Sequence, residues 1–130
     1  MVPGMLRGEV RARHVVPVQR LDHYLAQRGV ALVSLIKIDA EGFELPILRG
    51  ASSFLDTTRL LPPILCEVAP GAYPLLGSSV ADLFDYMARY GYAALDVERE
   101  ARPVRAESLA GTTNVLFLPA VSSDRARRRQ

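Results

Sequence analysis

Eight consecutive residues, Lys37-Ile38-Asp39-Ala40-Glu41-Gly42-Phe43-Glu44, carry the chain's only lysine and three carboxylates directly after an apolar run. Carboxylates at this spacing can hold a metal, hydrogen-bond sugar-like hydroxyls or act as a general base. A fourth, Glu67, stands near the end of a second apolar run, "PPILCEV". If the two runs are neighbouring strands, Asp39, Glu41, Glu44 and Glu67 share one rim, and Gly42 lets the backbone turn sharply there. Lys37 is the odd member. Fifteen of the sixteen basic residues are arginine, and an ammonium inside an apolar strand needs a partner, for which Asp39 and Glu67 are nearest. The spacing therefore predicts a Lys37 that is more than half buried beside one of these carboxylates. A purely structural account competes: Asp39 caps the next helix, Glu41 and Glu44 favour its dipole, and Lys37 belongs to an ion pair. The residue types alone leave both accounts open.

Other candidates carry less chemistry. His14 and His23 are not at metal-ligand spacing with each other or with Cys66, so an acidic metal site for hydrolysis is the least favoured reading. Cys66 reads as an inert core thiol. Asn114 reads as a turn residue before the last strand, and the arginine-rich end "RARRRQ" as a solvated tail.

The elements that must position these residues follow from hydrophobic period. His14 to Val18, interrupted by Pro17, predicts an edge strand. "LDHYLAQRG" predicts a short helix with Leu21, Tyr24 and Leu25 on one face and Gly29 at its stop. Val30 to Ile38 is nearly all apolar and predicts a central parallel strand covered on both faces. Leu45, Leu48, Ala51 and Leu55 then repeat at helical spacing, with Pro46 in the first turn and Gly50 as a weak point inside. "PPILCEV" is a second buried strand and "APGAYPLLG" a loop. Ser79 with Asp82 forms a capping box for a helix striped by Val80, Leu83, Phe84 and Met87 and stopped at Gly91. "YAALDVE" and "TNVLFLP" close the chain as two strands. The result is an α/β sheet ending in an antiparallel hairpin.

With 130 residues, 49% hydrophobic, and a net charge of +2, the chain forms one modest core with no basic groove for nucleic acid. Its one cysteine allows no internal disulfide, and it has neither a signal-like start nor a membrane-length apolar run, so a cytoplasmic location is expected. Residues 1–13 are expected to be a flexible start, 14–119 the folded part and 120–130 a basic tail.

The set "LDHYLAQRG", "LIKIDAEGFELPILRGA", "PPILCEV", a helix ending "YGY" and "TTNVLFLP" resembles the FkbM family of methyltransferases. The family pattern K-I-D-x-E-G-x-E followed by leucine and R/K-G-A is matched by Lys37, Ile38, Asp39, Glu41, Gly42, Glu44, Leu48, Arg49, Gly50 and Ala51, and the resemblance spans Val15 to Pro119. It implies a Rossmann-like class I methyltransferase sheet and methyl transfer from S-adenosylmethionine to a hydroxyl of a sugar or natural product. Carried onto this sequence, it places Asp39 close to the reacting methyl and as the expected cofactor contact. Asp39 and Glu41 would handle the small-molecule acceptor, while Lys37 and Glu67 hold the rim's geometry and charge. The Gly-rich loop after the first strand and the acidic residue ending the second, by which such folds mainly bind the cofactor, have no counterpart, and no G-x-G occurs; Arg20 stands where a small hydroxyl residue is usual. The resemblance therefore implies the C-terminal half of the family domain. It leaves open whether the lone chain is active or is a non-catalytic half that binds a partner chain supplying further strands. Either way the edge of strand 33–39 is expected to self-associate or to take a partner.

Overall fold

A computed structural model describes residues 12–120. The expected flexible start up to residue 11 and the basic tail from residue 121 lie outside the described residues. The architecture is mixed α/β. One sheet holds β1 (Ile36–Ile38), β2 (Ile64–Val68), β3 (Tyr92–Asp96), β4 (Arg102–Pro103) and β5 (Thr113–Pro119) in the order β1-β2-β5-β3-β4. β1 and β2 run parallel, and β5 is antiparallel to both β2 and β3. The two closing strands thus pair antiparallel as expected, but β5 threads between β2 and β3, and a short β4 adds outside β3.

Burial alternates along β2 and β5, which separates the sheet into two faces. Ile38, Ile64, Cys66, Val68, Val115, Phe117 and Tyr92 point into the core, where they meet Leu25 of α1 (Leu21–Gln27), Leu45 and Leu48 of α2 (Glu44–Arg49), Phe54 and Leu55 of α3 (Ser52–Thr57), and Leu83 and Met87 of α4 (Val80–Arg89). All four helices thus feed one face. The other face carries Leu65, Leu95, Leu116 and Leu118, each half-buried, and these do not belong to the core cluster.

Three expectations are corrected. His14 to Val18 forms no strand, and Val15 and Val18 are almost wholly exposed; Pro17 removes a ladder donor and no strand lies beside the segment. The run from Val30 to Ile38 is not a central strand covered on both faces. Only Ile36–Ile38 pair, at the sheet's edge, and Leu32 and Leu35 stay exposed at 65% and 53%. Apolar composition reported a strand that wants cover, which is not the same as a strand that has it. The helix through Leu55 is in fact two, because the Gly50 carbonyl accepts the Asp22 N–H (3.0 Å) at the end of α2 and the chain restarts at Ser52. Leu45, Leu48, Ala51 and Leu55 are nonetheless all buried.

The remaining elements follow their sequence signals. Ser79 Oγ accepts from Asp82 N (3.2 Å) while Asp82 accepts from Ser79 N (2.8 Å), completing the capping box of α4. Gly91 follows its C-cap at φ +80°. The segment read as a loop closes into a 3₁₀ helix, Pro70–Leu76, whose Tyr73 is fully buried.

Candidate functional site

Pairing of Ile38 with Cys66 in the parallel β1–β2 ladder puts the next residues, Asp39 and Glu67, beside each other at the carboxyl ends of both strands. They share the helix-free face with Lys37, since side chains alternate along a strand. Lys37 Nζ lies 3.3 Å from Asp39 Oδ2. The lysine is not buried: its side chain is 57% exposed and that of Asp39 47%. The expectation of a buried ammonium fails because β1 is an edge strand whose second face has no cover among the described residues. Asp39 makes no cap either, for the residue preceding α2 is Phe43 and no side chain caps that helix.

Asp39 holds the Glu67 carboxyl above the ordinary range, first through a shared hydrogen bond and then through charge repulsion. Burial and the more distant Glu41 add to the shift, and Lys37 opposes it. Neighbouring carboxylates disfavour double ionisation, so Glu67 keeps its proton more readily than a carboxyl standing alone. Across the next ladder, Glu67 faces Asn114, whose amide donates to Glu98 (3.1 Å). Asn114 is therefore a rim residue inside β5 and not a turn residue. Lys37, Asp39, Glu67, Asn114 and Glu98 form a polar row across the strand ends.

Behind this row the backbone is held in an uncommon shape. Glu41 has φ +47° and Gly42 φ +100°; a non-glycine residue in the left-handed region costs about 1–2 kcal/mol. A Cβ on Gly42 would sit 3.0 Å from both Ala72 Cβ and Leu76 Cδ1 of the 3₁₀ helix. Glu44, fully buried, reaches back into this turn. Its Oε1 accepts from Ala40 N (3.2 Å) and Gly42 N (3.2 Å), and its Oε2 from Gly42 N (3.0 Å) and Tyr73 OH (2.7 Å). A carboxylate can be buried when donors replace its water in this way. Burial, then Glu44 as acceptor and as a charge, raises the Tyr73 phenol well above its usual value. Burial, with Glu44 behind it, pushes the Cys66 thiol up to about 12, which fits the inert thiol expected there.

The structure thus brings Lys37, Asp39 and Glu67 together, keeps Glu41 within electrostatic reach, and takes Glu44 inside. Sequence reasoning missed Glu98 and the Glu44–Tyr73 contact; the one available signal was a tyrosine set among glycines and prolines. Arg20, which stands where a small hydroxyl residue is usual, makes no side-chain cap, and its Nε and Nη2 donate instead to Asp22 (3.1 and 2.8 Å). An apolar groove of about 820 Å³, lined by Leu21, Tyr24, Phe43, Pro46 and Ile47 among others, meets the rim turn only through Phe43. Among the described residues no cluster of histidine, cysteine and carboxylate side chains suits a metal ion, and no helix is long and apolar enough to cross a membrane.

No curated protein and no solved structure matches the chain. One family model does, described as the methyltransferase FkbM domain, over residues 3–94. That span includes Lys37, Asp39, Glu41, Glu44 and Glu67 and stops within β3, before Asn114. With most of its length matched, and the matched segment folding to a parallel strand pair with a shared acidic rim, the chain belongs to the FkbM methyltransferase family.

Proposed function

We propose that this chain supplies the acceptor-handling half of an O-methyltransferase acting on a sugar or natural-product hydroxyl. The observation that carries the reading is the Asp39–Glu67 pair at the carboxyl ends of β1 and β2, with Lys37 on Asp39. Methyl transfer is a displacement in which the protein's work is alignment and removal of the acceptor proton. Asp39, about half exposed and beside Glu67, would accept from the acceptor hydroxyl. Glu41 would orient it, while Lys37 and Glu67 fix the position and charge of Asp39. S-Adenosylmethionine, when bound, would supply the electrophilic methyl.

The residues present fit the cofactor only in part. Asp39 stands where a carboxylate contact is expected, but the one glycine N–H in the rim turn, that of Gly42, is occupied by Glu44, and no Gly-rich cradle exists among the described residues. The order β1-β2-β5-β3, with an antiparallel β5 inserted, supports a Rossmann-like class I sheet seen from its C-terminal half.

A second reading is favoured by the open edge of β1 and the half-buried leucines of the uncovered face. Parallel strands are usually covered on both faces. On this reading the chain is a non-catalytic half whose partner chain adds strands at β1 and cover over Leu65, Leu95, Leu116 and Leu118. Both readings take the cofactor contacts from elsewhere, which calorimetry of the lone chain with S-adenosylmethionine tests. Micromolar binding would favour a self-sufficient enzyme, while no affinity tighter than about millimolar is expected if the cofactor contacts come from elsewhere. Transfer of labelled methyl to a hydroxyl acceptor, by the chain together with a segment bearing the Gly-rich loop, tests the main reading. Unchanged transfer in Asp39→Asn would overturn it.

A further inference from the structure

We propose that Glu44 is a positioning residue: its buried carboxylate sets the turn that presents Asp39 to Glu67, and Tyr73 locks the carboxylate in place. The functional consequence rests on the acceptor-handling reading of the rim, but the geometry does not. A glutamate that merely favours a helix dipole belongs in solvent at the first turn. Glu44 starts α2 yet points backward into the core, fully buried, and its contacts are the Ala40 and Gly42 amides and the Tyr73 hydroxyl. The two amides flank Glu41, the residue at φ +47°, and Ala40 directly follows Asp39. The 3₁₀ helix closes the back of the turn through Ala72 and Leu76, against which Gly42 leaves no room for a Cβ. Strained backbone persists where its surroundings over-determine it, and here one carboxylate ties the left-handed pair to the element behind. Placement of Asp39 is thereby made to depend on Pro70–Leu76, a segment that contributes no side chain to the polar row.

The test uses the Glu67 carboxyl as a ruler, because its raised midpoint reports how close Asp39 stands. Lys37 and Glu41 face it as well and are left intact. Carboxyl titration by carbon-detected NMR on the full 130-residue chain compares Tyr73→Phe and Glu44→Gln with Phe54→Leu, a core change away from the turn. In both turn variants the Glu67 midpoint should fall toward its ordinary value, with the Ala40 and Gly42 amide resonances displaced. Phe54→Leu should lower the melting temperature without moving the midpoint. An unmoved midpoint in folded Tyr73→Phe overturns the proposal even if Glu44→Gln fails to fold, as does an equal shift in Phe54→Leu. If the midpoint moves as expected while Asp39→Asn leaves methyl transfer intact, the positioning stands and the acceptor-handling reading falls.

Discussion

Lys37 and Asp39 are both about half exposed, and pairs of that kind contribute about 0–1 kcal/mol. Lys37→Met should therefore leave the unfolding free energy within about 0.5 kcal/mol of the parent, as followed by urea denaturation. The Glu67 midpoint should meanwhile rise, because Lys37 is the one neighbour holding it down. A loss of methyl transfer in that folded variant would mark the lysine as functional, and full activity would mark it as structural only. Glu67 also sets a pH dependence. Its folded midpoint lies above the unfolded value of 4.5, so the folded chain binds that proton more tightly. Its contribution to stability is fully present below pH 4.5 and is lost as pH rises through the raised midpoint. Denaturation at several pH values should show this decline, and Glu67→Gln should flatten it; an unchanged slope would mean that Asp39 and Glu67 do not share a proton. The residue types of this site were legible in the sequence, and so was the adjacency of Asp39 and Glu67. Burial was not. Glu44 and Lys37 exchange the environments expected of them, because depth depends on the Tyr73 hydroxyl waiting inside and on the cover missing outside.

At the scale of elements, the signals that proved legible are those that act within one turn of chain. The Ser79–Asp82 capping box, the apolar stripe of α4 and the stop at Gly91 are local hydrogen-bond and backbone facts, and α4 forms as they require. The failures involve partners remote in sequence. Gly50 ends α2 because Asp22 donates to its carbonyl, and the run before Ile36 does not pair because no strand flanks it. Two glycines separate local from remote constraint. Gly91 at φ +80° has open space around its missing Cβ, whereas Gly42 at φ +100° meets Ala72 and Leu76 at 3.0 Å. Gly91→Ala should cost about 1–2 kcal/mol from backbone strain alone. Gly42→Ala should cost more, about 2–4 kcal/mol, since overpacking adds to strain. Thermal unfolding of the two variants checks the ranking, and equal losses would show that the 3₁₀ helix yields freely.

For the whole molecule, the open edge of β1 is led into by exposed Leu32 and Leu35, and residues 14–18 form no strand along it. Edges with apolar flanks pair with other chains. Sedimentation of the purified chain should show concentration-dependent association, and a charge placed at Leu35 (Leu35→Lys) should reduce it; a monomer over a wide concentration range would show that the edge is inert. The placement of β5 has a different consequence, for the order of assembly. Among the described residues β5, the last strand in sequence, is the only one that joins β1-β2 to β3-β4, so before it docks the sheet exists as two separate hairpin-sized pieces, neither of which is stable by itself. Formation of the tertiary structure must wait for the final strand, and contacts of such long sequence separation close slowly. A chain ended at Gly111 should accordingly lack cooperative unfolding altogether, and a peptide spanning residues 112–120 added in excess should restore it by entering the middle of the sheet.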